Sequence, residues 1–291
     1  MEPDGGFARG VVDRRAGGDG LENIEIGERL GGGGLSEVYS SGPDFVVKLF
    51  HQRIEKRFAL LEFENLVLAY SLGVPVPKPQ RAFEAGGRFG IRMRRAEGSD
   101  LLALMLAGAE AARAAARLLA EVHCRIHASS GRGFARLIDR IAAAIGQGEH
   151  IDKALAPRVR ELLESLPSGD ALCHGDLHPA NVMCSGERVA VLDWHDAASG
   201  PVEADIARTL VVVAFGRAAG ADDGMRREVN EAYLARYREV SPYAPDSALI
   251  EAWYTVMLAA RLAEPVDSRQ ANALRAALCD RLGVDWPGAG A

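Results

Sequence analysis

The sequence lacks the cysteine patterns that mark cysteine-based metal sites and disulfide-rich domains, and it lacks the long apolar runs of membrane-spanning proteins. Its 291 residues include four cysteines, Cys124, Cys173, Cys184 and Cys279, with no CxxC pair and no regular spacing. Such cysteines are typical of the reduced, mostly buried thiols of a cytosolic protein. The apolar run "LVVVAF" at 210–215 is far too short for a membrane-spanning helix.

An excess of positive charge is also absent. The formal net charge is -6 and the isoelectric point is about 5.7, so no global basic field favours a nucleic acid or an anionic membrane as partner. Residues 1–22 carry acidic residues and glycines where a secretion signal has an apolar core. We therefore expect a cytoplasmic protein whose residues 1–22 form a disordered N-terminal arm.

Hydrophobic patterning divides the chain into two regions without internal repeats. Residues 23–97 predict a small β-rich lobe, with strands in 24–50, one helix at 54–72 and a hairpin turning at Gly86-Gly87. Residues 98–291 are rich in Ala and Leu at helical spacing, starting with 99–129, and a short β island at 171–193 interrupts them. The sequence thus predicts an α+β fold with a β-rich N-lobe, a strand-like linker near 93–98 and a larger helical C-lobe.

Residues 172–182, "LCHGDLHPANV", crowd several chemically active side chains into the β island. Two short strands around a turn at 185–187 would form a hairpin that starts at Asn181 and ends at Asp193. Closing this hairpin would bring Asn181 beside Asp193, with Asp176 close by. Carboxylates and an amide carbonyl suit Mg²⁺ held together with phosphates, and an uncoordinated carboxylate could accept a proton from a hydroxyl.

The same stretch also allows a metal-dependent hydrolase. His174, Asp176 and His178 form an HxDxH pattern that could hold Zn²⁺ or a pair of metals. His123 and His127 stand at i, i+4, which is ligand spacing on a helix, although a helix face that packs against the loop is the simpler interpretation. No HxH or HExxH occurs elsewhere, so we keep the hydrolase as an alternative.

The order of these residues resembles a known pattern. Asp176 and Asn181 stand five positions apart, and Asp193 follows after a strand, as in the kinase catalytic loop. "HGDLHPAN" followed by "VAVLDW" resembles the catalytic motifs of the aminoglycoside phosphotransferase and choline kinase families, and the resemblance covers about 24–210. It implies a two-lobed, protein-kinase-like fold and a cytoplasmic enzyme that moves the γ-phosphate of ATP, with Mg²⁺, to a small-molecule hydroxyl. The acceptor would be an aminoglycoside, an amino sugar or an amino alcohol.

The resemblance also implies roles for individual residues. Asp176 would orient and deprotonate the acceptor, His174 and Asp205 would support the loop, and Asn181 and Asp193 would bind Mg²⁺. The nucleotide site would include a glycine-rich turn, a lysine with its glutamate partner, and the backbone of an inter-lobe hinge: Gly31, Gly32, Gly33, Gly34, Ser36, Val38, Lys48, Glu62, Met93, Arg94 and Arg95. Glu64 is the other possible partner of Lys48, and the spacing to Gly73 favours Glu62.

The segment after Asp193 argues for a small acceptor. Eleven residues separate Asp193 from Asp205, which leaves no room for the long segment that seats peptides in protein kinases. A cationic acceptor could meet acidic residues such as Glu203, Glu231 and Glu251, or these could be solvated. Trp194 is expected to pack, whereas His195 and Asp196 could face the acceptor.

Two points stay open at this level. A catalytically inactive nucleotide-binding pseudokinase is a second alternative, although Lys48, Asp176, Asn181 and Asp193 together argue against it. No nucleic-acid or membrane partner is expected, and the sequence does not predict the oligomeric state.

Overall fold

The computed structural model describes residues 24–147, 151, 154–216 and 220–285, so the predicted arm at 1–22 lies outside the described residues. The described chain forms two compact units. The first contains the residues up to Val67 together with Pro77–Arg95, and the second contains Leu68–Val76 and the residues from Ala96 onward. The boundary between the N-lobe and the C-lobe that the sequence predicts at 97–98 stays a prediction.

The first unit is an antiparallel five-stranded sheet with one helix. Its strands are β1 (Arg29–Gly32), β2 (Ser36–Ser40), β3 (Phe45–Phe50), β4 (Pro79–Ala85) and β5 (Arg88–Arg94), in the order β1-β2-β3-β5-β4. The helix is α1 (Lys56–Ser71), whose last residues, from Leu68 onward, belong to the second unit. Gly86 and Gly87 have φ of 57° and 73°, as a two-residue hairpin turn with positive φ at both positions requires. The predicted hairpin is therefore confirmed.

The first strand begins later than predicted. Residues 24–27 have no regular structure. The part of the sheet next to them is bonded to this segment through Ser40. Ser40 Oγ accepts the N–H of Glu28 at 2.9 Å, and Ser40 O accepts the N–H of Gly27 at 2.8 Å. The alternating apolar and polar residues at 24–28 therefore lie beside the sheet and are not part of β1.

The second unit is mostly helical. Its helices are α2 (Leu101–Met105), α3 (Ala109–His127), α4 (Leu137–Gln147), α5 (Leu155–Ser165), α6 (Val202–Phe215), α7 (Asp223–Val240), α8 (Ser247–Leu262) and α9 (Ser268–Leu282). Its short strands are β6 (Ser99–Asp100), β7 (Ala171–Cys173), β8 (Val182–Ser185), β9 (Arg188–Val191) and β10 (Ala198–Gly200). They form two small sheets, β6-β8-β9 and β7-β10.

The helical pattern over 99–129 forms two helices separated by Gly108. Gly108 has φ of 142°, a conformation that residues with a side chain rarely adopt. At its start, Ser99 and Asp100 pair with Cys184 and Met183 of β8 instead of joining the helix. No helix among the described residues is long and apolar enough to cross a membrane.

Helix α6 lies in the middle of the second unit. Nearly every residue from Ala204 to Val211 is buried, and α6 packs against α7 and α8. Asp205 and Arg208 stand one turn apart on this buried helix, with 0% and 5% exposure. Because a buried charge is stable only with hydrogen-bonding partners, both residues must be bonded to neighbouring segments.

Candidate active site

The β8–β9 hairpin and the loop before it place three predicted residues close together. Val182 pairs with Val191, and the N–H of Leu192 donates to Asn181 O at 2.8 Å, so Asn181 lies beside the residue that precedes Asp193. Asn181 Nδ2 donates to Asp176 O at 3.0 Å. The hairpin thus brings the segments of Asp176, Asn181 and Asp193 together.

Asp193 has an unusual backbone. With φ of 64° it is the one residue other than glycine that has a positive φ in the described ranges. This left-handed conformation costs a side-chain-bearing residue on the order of 1–3 kcal/mol and is common at functional sites. The following residues, Trp194 to Asp196, turn at once into a single 3₁₀ turn.

The donor atoms at this hairpin fit Mg²⁺. The amide nitrogen of Asn181 donates to Asp176 O. This hydrogen bond orients the amide so that its oxygen is available to bind a cation. Asp193 adds a carboxylate at the end of β9. Hard oxygen donors of this kind are the ligands that Mg²⁺ uses beside substrate phosphates.

His174 supports the loop from inside the protein. Its Nε2 donates to Leu192 O at 2.9 Å, and its Nδ1 accepts the N–H of Asp176 at 3.2 Å. The ring is fully buried and packs edge-on against the buried Trp194. His174 therefore acts through backbone positions and does not reach a ligand. Trp194 packs, in line with expectation.

Gly175 is required by close packing in the loop. Its φ is 82°, and a Cβ at this position would lie 2.3 Å from Asp196 O. No other residue fits here without displacing backbone. The glycine of the HGD motif is therefore a steric necessity of the loop.

The carboxylate of Asp176 is held from one side. Its Oδ1 accepts a bond from Arg208 Nη2 at 2.8 Å, and its Oδ2 lies 3.6 Å from His178 Nε2. Burial raises the pKa of Asp176, but Arg208, His178 and His174 together outweigh burial and lower this pKa well below its usual range. The side chain is 27% exposed, so Asp176 is an anionic group that a ligand can reach.

Arg208 is a site residue that the sequence reasoning missed. Its Nε donates to Gly175 O at 3.0 Å, and its guanidinium forms a two-pronged pair with Glu264 at 2.6 and 3.1 Å. Arg261 also bonds Glu264, at 2.9 Å. The signal was present in "DIAR", where Arg208 follows the bracing Asp205 by one helical turn and so shares its face.

Asp205 braces the loop as expected. Its Oδ2 accepts the N–H of His174 at 2.6 Å, and its Oδ1 accepts the N–H of Gly175 at 2.9 Å. His123 and His127 also donate to it. The i, i+4 histidines therefore pack against Asp205, which supports the loop that contains Asp176.

The metal-dependent hydrolase finds little support in the geometry of the HxDxH residues. Both ring nitrogens of His174 are engaged by backbone groups, so His174 has no nitrogen to offer a metal beside Asp176 and His178. Among the described residues, the ligand atoms that do cluster within 4.8 Å belong to His123, His127 and Asp205.

Asp196 is bound to the protein. Arg140 pairs with its carboxylate and also donates to the carbonyls of His195 and Ala197. Burial raises the pKa of Asp196 to about 6. The expectation that Asp196 could face an acceptor is therefore weakened by a structural partner.

In the first unit, the predicted lysine and glutamate are in contact. Lys48 Nζ lies 2.5 Å from Glu62 Oε1, and the two side chains are 13% and 4% exposed. Glu64 is exposed on the same helix, so Glu62 is the partner. Lys48 also pairs through the backbone with Val38 and Ile91, which places it in the centre of the sheet.

The glycine-rich turn leaves room above its backbone. Gly31, Gly33 and Gly34 have ordinary φ values, and a Cβ on any of them would meet nothing within 4 Å. The fold of the unit therefore does not itself demand glycine at these three positions, whereas close approach of a phosphate to the backbone would. At Gly32, by contrast, a Cβ would lie 3.0 Å from Ser36 O. The turn is closed by the N–H of Gly33 donating to the buried Ser36.

The predicted hinge is only partly available. The N–H of Arg94 donates to Lys78 O and that of Arg95 to Asp44 O, and Met93 is buried in β5. An adenine contact at 93–95 would have to use other backbone atoms of this segment. That contact stays a prediction.

Comparisons with known proteins can now be set beside this geometry. Residues 27–245 match the model of a family described as "Phosphotransferase enzyme family". No curated protein sequence matches the chain.

Solved structures resemble the chain over most of its length. Aminoglycoside phosphotransferase APH(4)-Ia is 18% identical with a TM-score of 0.65, covering 91% of this chain and 94% of its own. An aminoglycoside-3'-phosphotransferase of type VIII is 19% identical with a TM-score of 0.62, covering 82% and 94%. Choline kinase from Cryptosporidium parvum Iowa II is 13% identical with a TM-score of 0.57, covering 91% and 90%. The predicted α+β, protein-kinase-like fold is thereby confirmed.

Proposed function

Because this chain belongs to the phosphotransferase enzyme family, we propose that it transfers the γ-phosphoryl group of ATP to a hydroxyl group of a small molecule. The family and the kinase-like neighbours make it a small-molecule phosphotransferase. The observation that carries the finer proposal is Asp176, an anionic, partly exposed carboxylate whose backbone carbonyl accepts a hydrogen bond from the side chain of Asn181. A structural neighbour has been solved as a ternary complex with ADP and hygromycin B, which supports ATP as donor.

The proposed reaction is a direct displacement at phosphorus. The acceptor oxygen forms a bond to the γ-phosphorus, the bond from that phosphorus to the β–γ bridging oxygen breaks, and ADP leaves. The hydroxyl proton moves to Asp176, where Oδ2 receives it because Oδ1 is held by Arg208. The protein forms no covalent bond in this step, so it accelerates the reaction mainly by positioning the reactants and neutralising charge.

The remaining residues prepare the donor. Asn181 and Asp193 would hold Mg²⁺, which neutralises phosphate charge when bound. Lys48, oriented by Glu62, would pair with the phosphates, and the backbone of the turn from Gly31 to Ser36 would lie against them.

The acceptor is proposed to be an aminoglycoside, an amino sugar or an amino alcohol. Of the acidic residues considered, Glu203 accepts the N–H of Asp246, and Glu251 pairs with Arg281 at 2.7 Å. Both carboxylates are already bonded to other residues of the protein, which argues against them as contacts for a cationic acceptor.

Replacing the base tests the proposal. Asp176→Asn keeps the side chain's size and removes its ability to take a proton. We expect phosphoryl transfer to fall by at least about a thousandfold. ATP–Mg²⁺ binding, measured by calorimetry, should persist. The exposed Asp280 on α9 provides the control, since Asp280→Asn should leave transfer unchanged.

Coupled ADP release against a library of hydroxylated amines and sugars would identify the acceptor. Retained turnover in Asp176→Asn contradicts the mechanism. Tight ATP binding with no transfer to any acceptor would instead favour the pseudokinase. Bound Zn²⁺ or Mn²⁺ in nucleotide-free protein would favour the metal-dependent hydrolase.

A further inference from the structure

Five polar side chains from three helices form a fully buried cluster behind the catalytic loop. His123 and His127 lie on α3, Asp205 on α6, and Tyr233 and Tyr237 on α7, and none is more than 3% exposed. The Nε2 atoms of the two histidines lie 2.9 and 3.2 Å from Asp205 Oδ2. Each Nδ1 lies 2.7 Å from one tyrosine hydroxyl, His123 from Tyr233 and His127 from Tyr237.

The protonation of this cluster follows from its donors and acceptors. The N–H groups of the imidazoles lower the pKa of Asp205 well below its usual range against the opposing effect of burial, so Oδ2 can only accept. Each Nε2 must then carry a hydrogen. Burial lowers the pKa of His123 to about 4, and the two rings stand 4.0 Å apart, which disfavours charge on both. In the neutral ring of His123 Nδ1 is an acceptor, so the hydroxyl of Tyr233 donates to it.

We propose that His123 and His127 are positioning residues for the catalytic loop, each held in position by a hydrogen bond to a tyrosine of α7. The chain of contacts runs from Tyr233 and Tyr237 through the histidines to Asp205, and from there to the N–H groups of His174 and Gly175. The carboxylate of Asp205 requires the hydrogen on Nε2, the tyrosine hydroxyl holds the ring in position through Nδ1, and the placed ring fixes the direction of the carboxylate. The role in catalysis rests on the proposed function.

The link to the reacting group is short. Gly175, whose N–H is bonded to Asp205, directly precedes Asp176, and its carbonyl is bonded to Arg208, which also holds the carboxylate of Asp176. A small rotation of Asp205 therefore shifts the N–H groups of His174 and Gly175, the two residues that directly precede the base. Displacements of this kind lower turnover without loosening substrate binding.

Hydrogen bonds account for the cluster better than a bound metal does. Asp205 Oδ2 already accepts three N–H groups at 2.6 to 3.2 Å, and both Nδ1 atoms are engaged. A cation at this point would have to displace the N–H of His174 from Oδ2. The cluster is therefore assigned as a hydrogen-bonded support.

Two amide substitutions at one position separate the two bonds of a histidine. In His123→Gln the amide nitrogen takes the place of Nε2, which keeps the bond to Asp205 and gives up Tyr233. In His123→Asn the amide takes the place of Nδ1, which keeps Tyr233 and gives up Asp205. Tyr233→Phe removes a single oxygen and leaves both histidines in place, and the exposed Tyr70→Phe is the control.

We expect kcat to fall at least about tenfold in His123→Asn and less than about threefold in His123→Gln, with the KM for ATP unchanged in both. Tyr233→Phe should lower kcat by several-fold, and adding it to His123→Gln should have no further effect. Tyr70→Phe should match the wild type. The split between kcat and KM distinguishes positioning from simple loss of folded protein, which would lower kcat in proportion to stability in every variant.

Amide hydrogen exchange at His174 and Gly175 reads the same support without any turnover. We expect exchange to accelerate in His123→Asn and Tyr233→Phe at full native circular dichroism, and to stay slow in His123→Gln and Tyr70→Phe. If wild-type protein transfers no phosphate but exchange responds in this way, the function fails and the support stands. Equal kcat and equal exchange in all the variants overturn the support, as does stoichiometric zinc in the purified protein; Tyr233→Phe keeps the test open if His123→Asn does not fold.

Discussion

Replacing Arg208 with methionine should disturb both the stability of the protein and the catalytic base. The guanidinium donates to Gly175 O, to Asp176 Oδ1 and twice to Glu264, at distances of 2.6 to 3.1 Å. Methionine has a similar length and no donor, so it fills much of the space and leaves two carboxylates without their shared cation.

The size of the effect can be estimated from exposure. Removing one partner of a buried ion pair costs about 3–5 kcal/mol because the remaining charge is left uncompensated. The side chains of Asp176 and Glu264 are 27% and 38% exposed, so water can partly replace the guanidinium. We therefore expect a loss near the lower end, about 3 kcal/mol, and a Tm lower by roughly 6–12 °C.

Urea unfolding and steady-state kinetics measure the two effects separately. Arg208→Met should lower kcat at least about tenfold with little change in the KM for ATP, because Arg208 orients Asp176 and contacts no nucleotide in this proposal. Arg208→Lys keeps a charge but cannot form the two-pronged pair, so it should lie between Met and wild type. Glu264→Gln leaves the bond to Asp176 in place and should cost about 1 kcal/mol with kcat nearly intact.

Arg208 does not have this role if the free energy of unfolding of Arg208→Met lies within about 0.5 kcal/mol of that of the wild type and its kcat is unchanged. The role is also ruled out if Glu264→Gln lowers kcat as much as Arg208→Met, since the charge of the cluster and not the orientation of Asp176 would then control the rate.

Three further predictions concern other parts of the chain. Glu62→Gln should raise the KM for ATP several-fold because Lys48 loses its partner, whereas Glu64→Gln, exposed on the same helix, should not change it. Gly98→Ala should cost about 3 kcal/mol or more in urea unfolding, because φ is 92° and the new Cβ would lie 1.8 Å from Cys184 O, whereas Gly146→Ala inside α4 should gain about 0.5–1 kcal/mol. His123 has a pKa of about 4 in the fold and 6.5 as a free side chain, so its contribution to stability is present above pH 6.5 and is lost as the pH falls towards 4. Between pH 7 and pH 5 the wild type should lose about 2 kcal/mol more stability than His123→Gln, and equal losses would contradict the buried neutral ring.

The reacting loop was predictable because its residues are local in sequence. Asp176, Asn181 and Asp193 belong to one loop and one hairpin, so spacing and strand pattern suffice to bring their backbones together. The pairing of Lys48 with Glu62 was expected from the family resemblance, with Glu64 as the other possible partner, and the structure shows the contact with Glu62. What could be predicted was chemistry held within short stretches of chain.

The supporting contacts were not predictable in the same way. Arg208 meets Glu264 across 56 residues, and His123 meets Tyr233 across 110, so their pairing depends on how helices pack. The i, i+4 spacing of His123 and His127 indicated a shared face but not what that face would contact. The break at Gly108 was visible as a glycine in a helical pattern, yet many such glycines are tolerated inside helices.

The burial of α6 has a consequence for how this protein can change by mutation. The same helix contributes Ala204, Ala207 and Val211 to a hydrophobic core and supplies Asp205 and Arg208, the two side chains that hold the loop of Asp176. Substitutions on α6 that damage the loop will therefore also lower the amount of folded protein in the cell, and a screen for lost activity will recover them mixed with unstable variants. Inactive but well-folded protein for acceptor-binding studies is best obtained by changing Asp176, on the loop, and leaving α6 intact.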